Sequence, residues 1–364
     1  MGNKYYSLKN LLSCNANWNI LFGMRSNGKS YSVKKYVIEQ CFKNNEEFVY
    51  LRRWSEDIKE KEVSTYFEDC PVKDITKGEY EGIAAFRGFF YWYVTDENDK
   101  QVRCGKPIGR YCSLNQAERY KSQVFTRVQY IIFEEFLTNK VYLGGNTPGR
   151  NEPAFLMQFV STVSRDRDIK VFMIGNTISR VCPYFAQEGW GLHNVMKMKP
   201  GTIDIYHLRG ENGVVDIAVE NCEVVETKSK MFFGLASRQI TSGEWEVNDV
   251  PKLLKPYEFY DCLYEINIKY GDFYYVLQLL FDGDTGGSFI YIYPNTKQRS
   301  IERTITNVFD VNPMVTNGLK PEIKAEVLIA RLFREGKVCF SDNLTGTDFR
   351  QVVDQYKLRG VMIC

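Results

Sequence analysis

The run Gly23-Met24-Arg25-Ser26-Asn27-Gly28-Lys29-Ser30 satisfies G-x-x-x-x-G-K-[ST] at every fixed position. Each fixed residue has a task in phosphate chemistry. The glycines let backbone N–H groups close around phosphate oxygens, and the helix that begins at Lys29 adds its positive end. Lys29 is expected to reach the β- and γ-phosphates, and the Ser30 hydroxyl to ligate Mg²⁺. Met24, Arg25, Ser26, Asn27 and, one place beyond the motif, Tyr31 complete the expected binding run for ATP and Mg²⁺. A glycine turn before a solvated lysine is the bland alternative, but an apolar strand precedes the loop and an amphipathic helix follows it.

A phosphate loop of this kind needs a carboxylate strand beside it. Val128-Gln-Tyr-Ile-Ile-Phe-Glu134-Glu135 supplies a largely apolar run that ends in two acids. Side chains alternate along a strand, so one acid can face the Mg²⁺ shell while the other polarises the attacking water. Glu134 takes the metal side, where Asp is usual, and Glu135 is the expected catalytic base. Lys170 to Ile174 is a further strand that runs into Asn176, whose amide reads either as a sensor beside the γ-phosphate or as a turn residue. In Ser164-Arg165-Asp166-Arg167-Asp168, Arg165 or, failing that, Arg167 could serve a neighbouring subunit's site as a finger that neutralises transition-state charge; a solvated, self-paired face is the other reading. Asn139-Lys140 is followed by Val141-Tyr142, so no N-K-x-D guanine motif is present. These features point to the additional-strand, catalytic-glutamate (ASCE) class of ATPases.

The elements that must hold these residues are short apolar strands alternating with amphipathic helices, the pattern of a mainly parallel sheet covered on both faces. Strands are expected at Asn19–Phe22, Glu47–Leu51, Val128–Phe133 and Lys170–Ile174, and helices at Lys29–Phe42 and Pro153–Val163. Residues 75–102 read as an inserted hairpin set. The chain is expected to divide into an α/β ATPase domain at 1–222, a linker or lid at 223–256, and a smaller α+β domain at 257–364. Within the last, strands at Leu263–Tyr270, Phe273–Phe281, Ser288–Tyr293 and Val338–Phe340 join helices at Pro321–Arg334 and Thr347–Tyr356.

Composition limits the alternatives. At 364 residues the length favours two domains, and 24 Tyr with 24 Phe give ample core. A net charge of +2 means that nucleic-acid contact must come from a local patch or from several copies around the ligand. Ten cysteines without a C-x-x-C argue against a zinc cage and for reduced thiols, and two histidines leave most His-based hydrolase mechanisms without their parts. The polar start is no signal peptide, and the longest apolar stretch, Phe273–Phe281, is strand length. The expectation is a soluble protein that stays inside the cell.

Taken together, the motifs resemble the DNA-packaging ATPases of phi-29-like tailed bacteriophages. The likeness runs through Tyr5–Asn10, the phosphate loop to Tyr31, Tyr50-Leu-Arg52-Arg53, Ile132-Phe-Glu134-Glu135-Phe136, Thr162-Val-Ser-Arg165-Asp-Arg167, Asn176 and Pro183-Tyr-Phe185. It covers about residues 5–190 and rests on domain order beyond them. The resemblance implies a homomeric ring, a pentamer in the family, at the portal vertex of a procapsid in the host cytoplasm, hydrolysing ATP to drive double-stranded DNA inward. Portal protein, DNA and a packaging RNA are the implied partners, with no membrane. Family roles fall on Lys29 and Ser30, on Glu134 and Glu135, and on Arg165 as the trans-acting finger. Arg52 and Arg53 fit either a link between nucleotide and DNA grip or a strand-end salt bridge. Larger packaging enzymes add a ribonuclease-H-like nuclease, so the terminal domain is expected to be an inactive relative of it; an active nuclease, with Asp282, Asp284, Asp310 and Asp342 as candidate acids, is one alternative and a nucleotide-clamped virion protein another. Lys59, Lys61 and Lys121 are candidate DNA-phosphate contacts.

Overall fold

The computed structural model describes residues 6–144, 151–186, 189–225, 241–297, 299–308 and 310–355. Residues 226–240, part of the expected lid, lie outside the described residues. Two compact units form: one from residues 1–138, 153–178 and 194–244, the other from 139–152, 179–193 and 245–364. The units therefore interleave along the chain where the sequence reading had contiguous ranges. Two excursions, one after Thr138 and one after Ile178, pack with the second unit.

The first unit is built on a nine-stranded sheet of β1 (Trp18–Phe22), β2 (Glu47–Arg52), β3 (Gly82–Phe86), β4 (Phe89–Thr95), β5 (Gln101–Ser113), β6 (Val128–Glu134), β7 (Lys170–Ile174), β8 (Thr202–Gly210) and β9 (Gly213–Asn221), in the order β3-β4-β5-β2-β6-β7-β1-β9-β8. From β5 across to β9 every neighbouring pair is parallel, and the hairpins at both edges are antiparallel. Parallel central strands are covered on both faces, which is why β1 is buried at all five positions. β7 lies between the phosphate-loop strand β1 and the carboxylate strand β6, the added strand of the ASCE class. Residues 75–102 are no detached insert. β3 and β4 extend the main sheet, and β5 runs on from the hairpin to become a core strand beside β2, with Leu51 opposite Cys112.

The helix Lys29–Asn44 places Val33, Val37, Ile38 and Cys41 on the face that packs over this sheet, in one cluster with Leu21, Tyr130, Ile132 and Phe172. Each buried aliphatic side chain contributes roughly 1.5–3 kcal/mol, so Val37→Asp would remove the helix's anchor. The helix stops at Asn45, which adopts the left-handed conformation at φ 55° and returns its N–H to the Cys41 carbonyl.

The second unit carries a six-stranded sheet. Here β10 (Asp261–Tyr270), β11 (Phe273–Asp282) and β12 (Gly287–Pro294) form an antiparallel meander. β13 (Thr304–Thr306) and β14 (Val315–Thr316) add in parallel beyond β10, and β15 (Val338–Phe340) adds in parallel beside β12. Ile266, Ile268, Leu277, Leu279, Ile290 and Ile292 form one cluster with Ile329 and Leu332 of the helix Lys324–Arg334 and with Phe349 and Val352 of the helix Asn343–Gln355. No helix among the described residues is long and apolar enough to cross a membrane.

Candidate nucleotide-binding site

The site forms where β1, β6 and β7 end, around a cavity of about 720 Å³. That is ample for a nucleotide. Arg25, Ser26, Asn27, Gly28, Lys29, Ser30 and Tyr31 line one side of it, and Asp69, Glu134, Glu135, Ile174, Gly175 and Asn176 the other. Backbone geometry explains the glycines. At Gly23, φ is 138° and an added Cβ would sit 3.3 Å from Asn221 Oδ1 and the Cys222 carbonyl; at Gly28, the residue that opens the helix, φ is 94°. Gly23 and Met24 precede the loop's turn, and the Asn27 side chain accepts the Lys29 backbone N–H at 3.2 Å, closing the loop on itself.

Lys29 Nζ donates to the Met24 carbonyl at 2.5 Å, to Asn27 Oδ1 at 3.2 Å, and to the Gly23 carbonyl and Asn176 Oδ1 at 3.4 Å. Its charge therefore lies inside the loop, on groups with which a phosphate would compete. Burial pushes its pKa down to about 8, against the opposing pull of Cys222 and Glu134. Asn176 thus lines the cavity and meets Lys29 there.

Glu134 lines the cavity opposite the loop and meets Ser30 there. Its Oε2 accepts the Ser30 hydroxyl at 3.2 Å and its Oε1 accepts the Tyr66 hydroxyl at 3.0 Å. Burial raises its pKa, and the Ser30 and Tyr66 hydrogen bonds oppose that rise. Ser30 and Glu134 fit a Mg²⁺ brought by a nucleotide, because such an ion takes one or two protein ligands and completes its shell with phosphate and water.

Glu135 leaves the strand's alternation. With φ at 58° it occupies the left-handed region, and its side chain is 62% exposed. The turn is held by Arg53, which is buried and donates to the Glu135 carbonyl at 3.0 Å and the Phe136 carbonyl at 2.6 Å. The neighbouring arginine takes the side chain: Arg52 Nη2 meets Glu135 Oε2 at 2.7 Å and Asp57 Oδ2 at 3.5 Å. Both arginines at the end of β2 are therefore bound to the one glutamate, one through its backbone and the other through its carboxylate.

The two candidate fingers separate cleanly. Arg167 donates to the Thr126, Val128, Phe125 and Val163 carbonyls between 2.6 and 2.9 Å, so it is a strut under β6. Arg165 follows the helix Glu152–Ser164 with φ at 52° and its side chain exposed. Among the described residues no ion pair joins the four charges of this cluster, and Arg165, Asp166 and Asp168 are exposed, as they would be on a solvated face.

The terminal acids have local duties. Lys255 binds Asp282 at 3.2 Å and Asp284 at 2.7 Å, Asp310 accepts the Asn312 N–H, and Asp342 caps the helix that follows by accepting the Thr345 N–H. Among the described residues no three His, Cys, Asp or Glu side chains converge as a metal site would require. Lys59 and Lys61 are exposed, and Lys121 pairs with Glu118 at 2.7 Å. Tyr66 and Asp69 escaped the sequence reading: they lie in no motif, and only the chain's path brings them to Glu134 and to the cavity.

A family model described as podovirus DNA encapsidation protein (Gp16) matches residues 2–234. The DNA packaging proteins of Bacillus phages PZA and phi29 are each 29% identical over 182 residues, covering 50% of this chain and 49% of theirs. The chain thus spans about half the length of the curated relatives it matches. Among solved structures, a chain of the bacteriophage phi-29 viral genome packaging motor assembly is 22% identical, covers 96% of this chain and 100% of its own, and superposes with a TM-score of 0.54. That likeness is one of fold.

Proposed function

The chain belongs to the podovirus DNA encapsidation family, and on that premise we propose that it is the ATPase subunit of a ring motor that drives double-stranded viral DNA into a procapsid. The observation that carries the reading is the convergence of Lys29, the Ser30–Glu134 pair and Glu135 on one cavity at the ends of β1, β6 and β7. In this mechanism ATP lies along the loop, and Lys29 exchanges its loop carbonyls for phosphate oxygens. Ser30 and Glu134 would hold a Mg²⁺ brought with the nucleotide, which would supply neutralisation of phosphate charge. Glu135 orients a water and accepts its proton as the water oxygen attacks the γ-phosphorus, the bond to ADP breaks, and ADP, phosphate and a proton leave. Arg165 of an adjacent copy supplies positive charge to the transferring phosphoryl group, so a subunit alone turns over slowly. Portal protein, a packaging RNA and a pentameric ring belong to the same proposal, as does action in the host cytoplasm. The second unit serves as a docking module; its meander with β13 and β14 added in parallel is compatible with ribonuclease-H-like ancestry, and the engagement of Asp282 and Asp284 by Lys255 speaks against a working nuclease.

The test is steady-state ATP hydrolysis across protein concentration, with and without double-stranded DNA, for the parent, Glu135→Gln and Arg165→Ala. Turnover should rise steeply with concentration and DNA, and a mixture of the two impaired variants should recover part of it because intact halves meet at shared interfaces. A parent inactive under all of these conditions, yet binding nucleotide tightly, would favour a nucleotide-clamped structural protein.

A further inference from the structure

Glu134 stands where a shorter Asp would be usual, and the extra methylene gives its carboxylate one more torsion to fix. A carboxylate that points one oxygen at the Ser30 hydroxyl must have its other oxygen held, or it will swing. Among the described residues the group at that second oxygen is Tyr66, whose hydroxyl donates to Oε1 at 3.0 Å while Ser30 donates to Oε2 at 3.2 Å.

Tyr66 is in turn immobilised. Its ring lies on Tyr50 with centroids 4.1 Å apart, and Lys34 Nζ sits 4.8 Å above its face. Lys34 also donates to the Tyr66 carbonyl at 2.8 Å and binds Asp69, which lines the cavity. Lys34 is one turn beyond Ser30 on the helix Lys29–Asn44. The helix that presents Ser30 therefore also grips the loop that presents Tyr66, so both hydroxyls on Glu134 answer to one rigid element.

We propose that Tyr66 is a positioning residue for the metal side of the site, fixing the longer Glu134 side chain so that its free lone pair meets a Mg²⁺ carried by the nucleotide. The inference rests on the reading of Ser30 and Glu134 as the Mg²⁺ side of an ATP site. It assigns Tyr66 no contact with nucleotide or metal; it acts through Glu134.

The test measures binding rather than turnover. A fluorescent, slowly hydrolysed ATP analogue is titrated into the full chain over a range of Mg²⁺ concentrations, for the parent, Tyr66→Phe, Glu134→Asp and the double variant. Tyr66→Phe should raise the Mg²⁺ concentration needed for half-maximal tightening by about 10-fold, the low end for loss of a group that orients a metal ligand, and leave metal-free affinity unchanged. In the Glu134→Asp background the same change should have little effect, because the shorter carboxylate no longer reaches the hydroxyl. A Tyr66→Phe protein with the parent's Mg²⁺ dependence, or an equal shift in both backgrounds, overturns the positioning role. If Mg²⁺ does not tighten binding in the parent, or if Ser30→Ala and Glu134→Ala leave its effect intact, the reading of the site fails and takes the inference with it. Thermal melting of each variant separates loss of fold from loss of metal coupling.

Discussion

Arg52 and Glu135 meet at 2.7 Å across the ends of neighbouring parallel strands, and the carboxylate so held is the one proposed above to activate water. An ion-paired carboxylate is a poor base. With Glu135 62% exposed, the pair is worth only about 0–1 kcal/mol, weak enough to open and close during a cycle. Arg52→Ala should therefore raise DNA-independent ATP turnover by up to about 5-fold, the rate equivalent of 1 kcal/mol, and blunt the stimulation by DNA. Turnover that vanishes in this variant would place Arg52 in the catalytic machinery instead of on a clasp.

Glu135→Gln keeps the size of the side chain and removes its basicity. The expected outcome is a loss of turnover of about 10²–10⁴-fold with nucleotide affinity nearly unchanged, because the side chain faces the cavity without holding the loop. Affinity measured by fluorescence beside a single-turnover rate checks the split. A parallel fall in both would mean that the left-handed turn at Glu135 had collapsed.

The two arginines after the helix Glu152–Ser164 should part company in a melting experiment. Arg167→Ala removes a charged donor from four backbone carbonyls and should cost about 2–4 kcal/mol, read by urea unfolding. Arg165→Ala removes an exposed side chain and should leave unfolding within about 0.5 kcal/mol of the parent while lowering turnover. Equal destabilisation by the two changes would make Arg165 structural as well.

The parts legible in the sequence were those whose chemistry fixes residue types at contiguous positions. The phosphate loop and the Glu134-Glu135 pair are of this kind, as is the helix whose Val33, Val37 and Cys41 repeat at helical spacing. β5 was not, because QVRCGKPIGRYCS reads as a loop: it starts exposed, carries a proline and two glycines, and becomes core only at its end. Gly109 explains part of that, since a Cβ there would lie 2.5 Å from the Phe48 ring. β13 and β14 have three and two residues, too short for any period to show. β8 and the first four residues of β9 include none that is buried, and the last five of β9 are buried at every position, so no apolar alternation marks the hairpin. Tyr66 and Asp69 reach the site through tertiary folding alone, and the capture of Glu135 by Arg52 depends on a parallel register that the sequence does not write down.

The second unit should carry a pH signature of its own. Asp348, on the helix Asn343–Gln355, is 6% exposed and faces Arg180 at 3.5 Å, with Asp342 and the Tyr275 hydroxyl nearby. Burial pushes its pKa up from 3.8 to about 6; Arg180 opposes the rise and Asp342 adds to it. The folded state thus binds this proton more tightly than the unfolded chain does. Its contribution to stability is complete below about pH 4 and is lost as pH rises through about 6, on the order of 2–3 kcal/mol in all. Other carboxylates act with the opposite sign, so the contrast with Asp348→Asn isolates the effect. The variant resembles the protonated parent: the two should unfold alike near pH 4, and the variant should be the more stable by about 2 kcal/mol at pH 7. A variant that is less stable than the parent at pH 7 would show that the Arg180 pair outweighs the cost of burying the charge.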